Sequence, residues 1–117
     1  MNPIALAFYG DAVYEVLVRR IVVSDSNLSV RKLHSASVSK VRASFQAKGA
    51  AIIEPLLSDE EADILRRGRN ANSQVPKSAT VHEYRMATGL EALFGYLSLI
   101  GENKRLDELF ERIYNER

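Results

Sequence analysis

The sequence contains no cysteine, which excludes disulfides and thiolate metal sites. It has only two histidines, His34 and His82. That is too few for a histidine-rich zinc site, so any metal must be held through oxygen ligands, which suit magnesium or manganese. No basic stretch precedes the apolar residues after Met1-Asn2-Pro3, which argues against a secretory signal. No uncharged apolar run approaches the roughly eighteen residues that mark a membrane span. Strand signals are absent as well. The expectation is a soluble, cytoplasmic, all-α protein with no membrane partner. Its 117 residues are one domain's worth, so 1–117 reads as a single domain with one core.

The net charge is +1, and its distribution says more than its size. Between Ser26 and Ile53 there is no acid, while Arg31, Lys32, Lys40, Arg42 and Lys48 are basic. A second basic stretch runs from Arg66 to Arg85, with Glu83 its only acid. The acids collect at 54–63 and at the C-terminus. Such segregation can build a basic surface on a nearly neutral protein. Solvated helix faces would give the same pattern.

Helix signals cover most of the chain. Asn2 as N-cap and Pro3 at the first helical position open a helix that runs to about Val23. A second helical region spans about 29–48, Gly49 is expected to break it, and a short apolar helix over 50–57 follows, limited by Pro55. Ser58 with Glu61 forms a capping box for a helix ending near Arg69. The stretch 70–81 has no hydrophobic period and contains Pro76. It reads as a loop long enough to be functional. Thr80 with Glu83 opens a further helix that stops at Gly101. Asn103 caps a last amphipathic helix with Leu106, Leu109, Phe110 and Ile113 on one face.

Two of these helices carry an isolated acid in apolar surroundings. The first helix is apolar nearly all round, which predicts burial. Yet Asp11, Glu15 and Arg19 share one stripe at a spacing of four, with Asp11 the deepest in apolar sequence. In the run 86–100, Glu91 is the only charge, on a face with Thr88, Gly95 and Ser98. A buried carboxylate costs several kcal/mol unless it is paired or bound to a cation. If the two helices are neighbours, Asp11 and Glu91 repel and one takes up a proton. A divalent cation removes that conflict and supplies an activated water and a Lewis acid for phosphodiester hydrolysis. Structural ion pairs fit the same residues: Asp11 with Arg19 or Arg85, and Glu91 with Arg85 or a helix cap. Gly10, Gly89 and Gly95 sit inside helices, where glycine costs roughly 1 kcal/mol against alanine. Close approach of a backbone or a ligand would account for them.

Leu6-Ala7-Phe8-Tyr9-Gly10-Asp11-Ala12-Val13 resembles the signature helix of the ribonuclease III family, leucine-glutamate-phenylalanine-leucine-glycine-aspartate-alanine-valine. Glu91-Ala92-Leu93-Phe94-Gly95-Tyr96-Leu97 resembles that family's second acidic motif. Arg67-Gly68-Arg69-Asn70-Ala71, with Pro76-Lys77 and Tyr84-Arg85, resembles its small bacterial Mini-III subfamily, which consists of the catalytic domain alone. The resemblance spans nearly the whole chain. It implies a ribonuclease III endonuclease-like helical bundle that works as a homodimer. It also implies magnesium-dependent (or manganese-dependent) hydrolysis of double-stranded RNA to 5′-phosphate and 3′-hydroxyl ends, and maturation of large-subunit ribosomal RNA precursor. Asp11 and Glu91 match the family's metal-binding catalytic acids, and Phe8 matches an aromatic at its dimer interface. Two family acids are missing: their positions hold Ala7 and Thr88. Glu15, one turn after Asp11, is the candidate supporting acid, orienting a metal-bound water or serving as an outer ligand. A salt bridge to Arg19 is its competing role.

Duplex RNA is recognised mostly by shape, through phosphates and 2′-hydroxyls. Arg66, Arg67, Arg69, Lys77 and Arg85 are the candidates for phosphate contacts. Asn70, Asn72, Ser73 and Gln74 are placed to reach 2′-hydroxyls. Lys40, Arg42 and His34 would extend the track. No aromatic-rich platform for stacking single strands is visible, and dimerisation would add avidity on one duplex. Two other functions fit less of the pattern. One is a non-catalytic dimeric RNA-binding module of the same fold. The other is a helical dimer that binds another protein through its first helix.

Overall fold

The computed structural model describes residues 1–24, 29, 43–71 and 80–115. They form five α-helices: α1 (Pro3–Ser24), α2 (Ala43–Ile53), α3 (Asp59–Asn70), α4 (Val81–Leu99) and α5 (Asn103–Asn115), with a 3-10 turn (Glu54–Leu56) after α2. No strand occurs among the described residues. The fold is all-α, as the absence of strand signals predicts.

Local sequence explains most helix ends. The Asn2 side chain accepts the Ile4 amide at 2.8 Å and caps α1. Ser58 and Glu61 complete a reciprocal capping box, Glu61 N–H to Ser58 Oγ at 3.2 Å and Ser58 N–H to Glu61 Oε1 at 2.9 Å. Acids fill the first turn of α3 and arginines its last, which complements the helix dipole. Thr80 caps α4 by accepting the Glu83 amide at 3.1 Å. At the other end of α4, Gly101 has φ +79°. Its amide bonds Ser98 O, and the Glu102 amide bonds Leu97 O, a Schellman ending that needs a left-handed residue.

Three expectations are corrected. Gly49 does not break the second helical region. Helix α2 runs through it, because the bare Gly49 backbone packs against Ile113 of α5, where a Cβ would stand 2.9 Å from the nearest methyl. The short helix expected over 50–57 is instead the last turns of α2 and the 3-10 turn that contains Pro55. In α5, Asn103 is the first helical residue, and Glu102, whose carbonyl accepts the Leu106 amide, holds the position before it.

The core is built around α4, which packs most extensively on α1 and then on α3 and α2. It is buried on nearly every side, through Met86, Leu90, Leu93, Phe94 and Leu97 among others, as an apolar helix should be. Helix α1 departs from the same expectation. It buries one side, Leu6, Ala7, Gly10, Tyr14, Leu17, Val18 and Val22, and exposes Phe8, Tyr9, Val16 and Val23 on the other. A single helix against α4 can cover only one of its two apolar faces. On the far side of the bundle α5 inserts Leu106, Leu109, Phe110 and Ile113 as its periodicity predicts. Arg105 anchors this helix with two bonds to Glu61 (2.9 and 2.8 Å) and one to Leu56 O at 2.9 Å.

Candidate active site

Helices α1 and α4 touch backbone to backbone. A Cβ on Gly10 would lie 1.7 Å from the Glu91 carbonyl oxygen, and one on Gly95 would lie 2.1 Å from that of Leu6. Any side chain at either position would force the helices apart. The glycines therefore serve close helix approach, and that approach sets Asp11 of α1 beside Glu91 of α4.

The two carboxylates share a hydrogen bond, which requires one of them to hold the proton. Asp11 is exposed and Glu91 half-buried, and within its own stripe Asp11 is more exposed than Glu15, so it is not the deepest of Asp11, Glu15 and Arg19. Asp11 stands at the edge of α1's inward face, where the pocket opens. Burial is the largest cause, and the adjacent Asp11 the next, that push Glu91 up to about 8. A third neighbour, Gln46 of α2, hydrogen-bonds Glu91 and acts the other way. Behind Glu91 lies Tyr14, fully buried between Phe94 and Phe110. Its hydroxyl has no partner among the described residues. Burial, and then the charge of Glu91, push that hydroxyl above the usual phenol range.

In front of the pair is a pocket of about 340 Å³ lined by Ile4, Ala7, Phe8, Asp11, Tyr84, Thr88 and Glu91. Both positions at which the chain departs from the family's acids, Ala7 and Thr88, face this pocket. The Thr88 hydroxyl is occupied by Tyr84 O of its own helix, at 2.9 Å. No cluster of three or more aspartate, glutamate or histidine side chains able to hold a metal occurs among the described residues. The pair alone still fits a hard divalent cation. Magnesium takes one or two protein carboxylates and completes its octahedron with water and substrate oxygens. A proton shared by two acids marks where a positive charge is wanted.

Glu15 is paired with Arg19 on the exposed side of α1 and is not part of the pocket lining. Its competing role, the salt bridge, is the one the structure forms. Arg85 is exposed and belongs to none of the ion pairs of the described residues, so it braces neither acid. Arg66, Arg67, Arg69 and Asn70 lie together in the last turns of α3, with Arg66 bonded to Asp63. Asn72, Ser73, Gln74, Lys77, His34, Lys40 and Arg42 lie outside the described residues. Phe8 is 84% exposed at the mouth of the pocket.

The residue that sequence reading overlooked is Gln46. The signal was available: 46, 50 and 53 fall on one face of α2, and Ala50 and Ile53 there are fully buried. A glutamine in register with them calls for a partner.

The arrangement defines a class, a helical domain with a two-carboxylate pocket at a glycine-mediated helix crossing. The chain belongs to the ribonuclease III domain family, whose model matches residues 4–102. It is similar to the Mini-ribonuclease 3 of Thermoanaerobacter sp. (strain X514), 48% identical over 112 residues that cover 95% of this chain and 79% of the relative. The Mini-ribonuclease 3 of Clostridium tetani is 40% identical over 117 residues, covering 98% of this chain and 78% of that protein. Among solved structures, the crystal structure of protein FN1578 from Fusobacterium nucleatum superposes with a TM-score of 0.90 at 28% identity, covering 98% of this chain and 93% of that one. No helix among the described residues is long and apolar enough to cross a membrane.

Proposed function

We propose that this chain is an endoribonuclease that hydrolyses double-stranded RNA with a divalent metal ion, magnesium or manganese in its place. The observation that carries the reading is the Asp11–Glu91 pair, two carboxylates side by side at a solvent-reached pocket of a ribonuclease III domain. Asp11 and Glu91 are the residues that would hold the ion. When bound, it supplies a Lewis acid for the phosphate and lowers the pKa of the attacking water. The chain's own part is to hold the two acids in register through the Gly10–Gly95 contact. Hydrolysis of this class leaves 5′-phosphate and 3′-hydroxyl ends.

The exposed apolar face of α1 supports a homodimer. Phe8, Tyr9 and Val16 form a contiguous helical stripe of the kind that marks interfaces, with Phe8 at its pocket end. A dimer would present two sites to one duplex. The arginines at the end of α3 (Arg66, Arg67, Arg69), Asn70 and Arg85 are the proposed phosphate and 2′-hydroxyl contacts. Asn72, Lys77, Lys40 and Arg42 extend that set on sequence grounds. Likeness to the Mini-III group makes large-subunit ribosomal RNA precursor, in the cytoplasm, the proposed substrate, with residues 1–117 as a single catalytic domain.

Cleavage of a long RNA duplex in magnesium, beside an EDTA control and Asp11→Asn, tests the reading. Discrete products that require the ion and vanish in the variant are expected. The neutral pocket positions Ala7 and Thr88 favour one alternative, a binding module without chemistry. Intact RNA from a dimer that still shifts the duplex on a gel would establish it.

A further inference from the structure

Gln46 is only 2% exposed, on the inward face of α2. A buried amide costs free energy unless its hydrogen bonds are made. At this position a leucine or methionine would pack against Ala50 and Ile53 without that cost. The partner of the Gln46 amide is the Glu91 carboxylate, on the helix against which α2 packs. Glu91 is thereby held from two directions, by Asp11 on α1 and by Gln46 on α2. A glutamate has three side-chain torsions and loses its aim unless neighbours lock them. A carboxylate ligand is worth most when an outer hydrogen bond fixes its orientation.

We infer that Gln46 is a positioning residue of the metal site: its amide donates to Glu91 and fixes that carboxylate in the orientation that meets Asp11. The inference rests on the reading of Asp11 and Glu91 as the metal-binding pair. Gln46 does not touch the cation or the RNA. It acts only through Glu91, taking over part of what the acids missing at Ala7 and Thr88 would do to define the site.

The test is Gln46→Met, which conserves volume and removes the amide. Three quantities are read: Mn²⁺ affinity of the RNA-free protein by electron paramagnetic resonance, kcat and KM on duplex RNA at saturating magnesium, and the melting temperature. Outer-shell changes typically cost on the order of 10–100-fold. That loss is expected in Mn²⁺ affinity and in kcat, with KM for RNA unchanged. A folded Gln46→Met protein with wild-type Mn²⁺ affinity and kcat overturns the inference and leaves the nuclease reading standing. A wild-type protein that binds no Mn²⁺ and cuts no duplex overturns both. Should Gln46→Met fail to fold, the wild type answers instead. Its only glutamines are Gln46 and Gln74, so glutamine-selective side-chain ¹⁵N labelling gives two resolvable amide pairs. The Gln46 pair must shift as magnesium saturates the site and must be displaced in Glu91→Gln. A Gln46 signal indifferent to both would refute the role.

Discussion

Glu61 and Glu91 are the same residue type, each drawn into the bundle, and the protein treats them in opposite ways. Glu61 caps α3 and takes a two-pronged contact from Arg105. Those bonds, Arg105's above all, hold its carboxyl below the ordinary range. Glu91 has no cation beside it among the described residues. Burial and Asp11 drive it up to about 8, and only the Gln46 amide pulls the other way. One acid has its charge answered and is structural. The other has no such partner among the described residues and borders an open pocket, the setting on which the proposed cation site rests. Sequence already separates the two: Glu61 follows Ser58 in a capping-box spacing among other acids, whereas Glu91 is the only charge in 86–100.

The sharpest way to separate them is to neutralise each. Glu91→Gln is expected to lower the cleavage rate by at least roughly 10³-fold, about 4 kcal/mol of transition-state stabilisation, while the metal-free protein at pH 8 melts no lower than the wild type. Rate and melting curves on the same sample check both halves. If the variant instead kept its rate and lost stability, Glu91 would belong with Glu61. The next effect is the mirror image. Removing one partner of a largely buried ion pair leaves the other charge uncompensated. Glu61→Gln should therefore cost about 2 kcal/mol, reduced from the fully buried case because Arg105 keeps 25% of its side-chain surface. Cleavage per folded molecule should be unchanged. Urea melts paired with active-site titration would read this, and a selective loss of rate would erase the contrast.

The two acids also predict opposite responses to pH. The folded value of Glu91 lies above its unfolded one, near 4.3. Its contribution to stability is complete below about 4.3 and is lost as pH rises toward about 8. The folded value of Glu61 is lowered, so its contribution is present above the unfolded value and disappears as pH falls through the folded one. Of these two acids, only Glu91 changes between pH 5 and 8. The metal-free melting temperature should drop across that window, and Glu91→Gln or saturating magnesium should flatten the drop. A wild-type curve that matched Glu91→Gln throughout would mean that Glu91 ionises as freely in the fold as outside it.

What could be read without coordinates divides along the same line. Ends of helices were legible because their signals are local: Asn2 before Pro3, the Ser58–Glu61 box, and Gly101 in a left-handed turn. The acids themselves were legible as oddities in apolar helices. What was lost depended on neighbours far along the chain. Gly49 resembles a helix break until Ile113 is found against it. Asp11 looks deepest because α1 is apolar on both faces, and sequence periodicity cannot say which face meets α4. Gln46 signals burial by its register with Ala50 and Ile53, but its partner, Glu91 on α4, cannot be read from the sequence.

The smallest effect concerns Tyr14, which lies behind Glu91 as Arg105 lies beside Glu61, but without making a bond. Its ring is well used, packed at centroid distances of 5.7 Å from both Phe94 and Phe110. Its hydroxyl is buried with no partner among the described residues, and an unmet buried polar group costs about 1–3 kcal/mol. Tyr14→Phe keeps the ring contacts and removes the hydroxyl. It should leave the protein as stable as the wild type or up to about 1 kcal/mol more stable, the gain being small because the vacated space is not refilled. Mn²⁺ affinity should be unchanged, since the hydroxyl makes no bond to Glu91. Denaturant melts settle the sign. A loss of more than about 1 kcal/mol, together with weaker Mn²⁺ binding, would mean that the hydroxyl reaches Glu91 after all and that the unanswered acid has a second donor behind it.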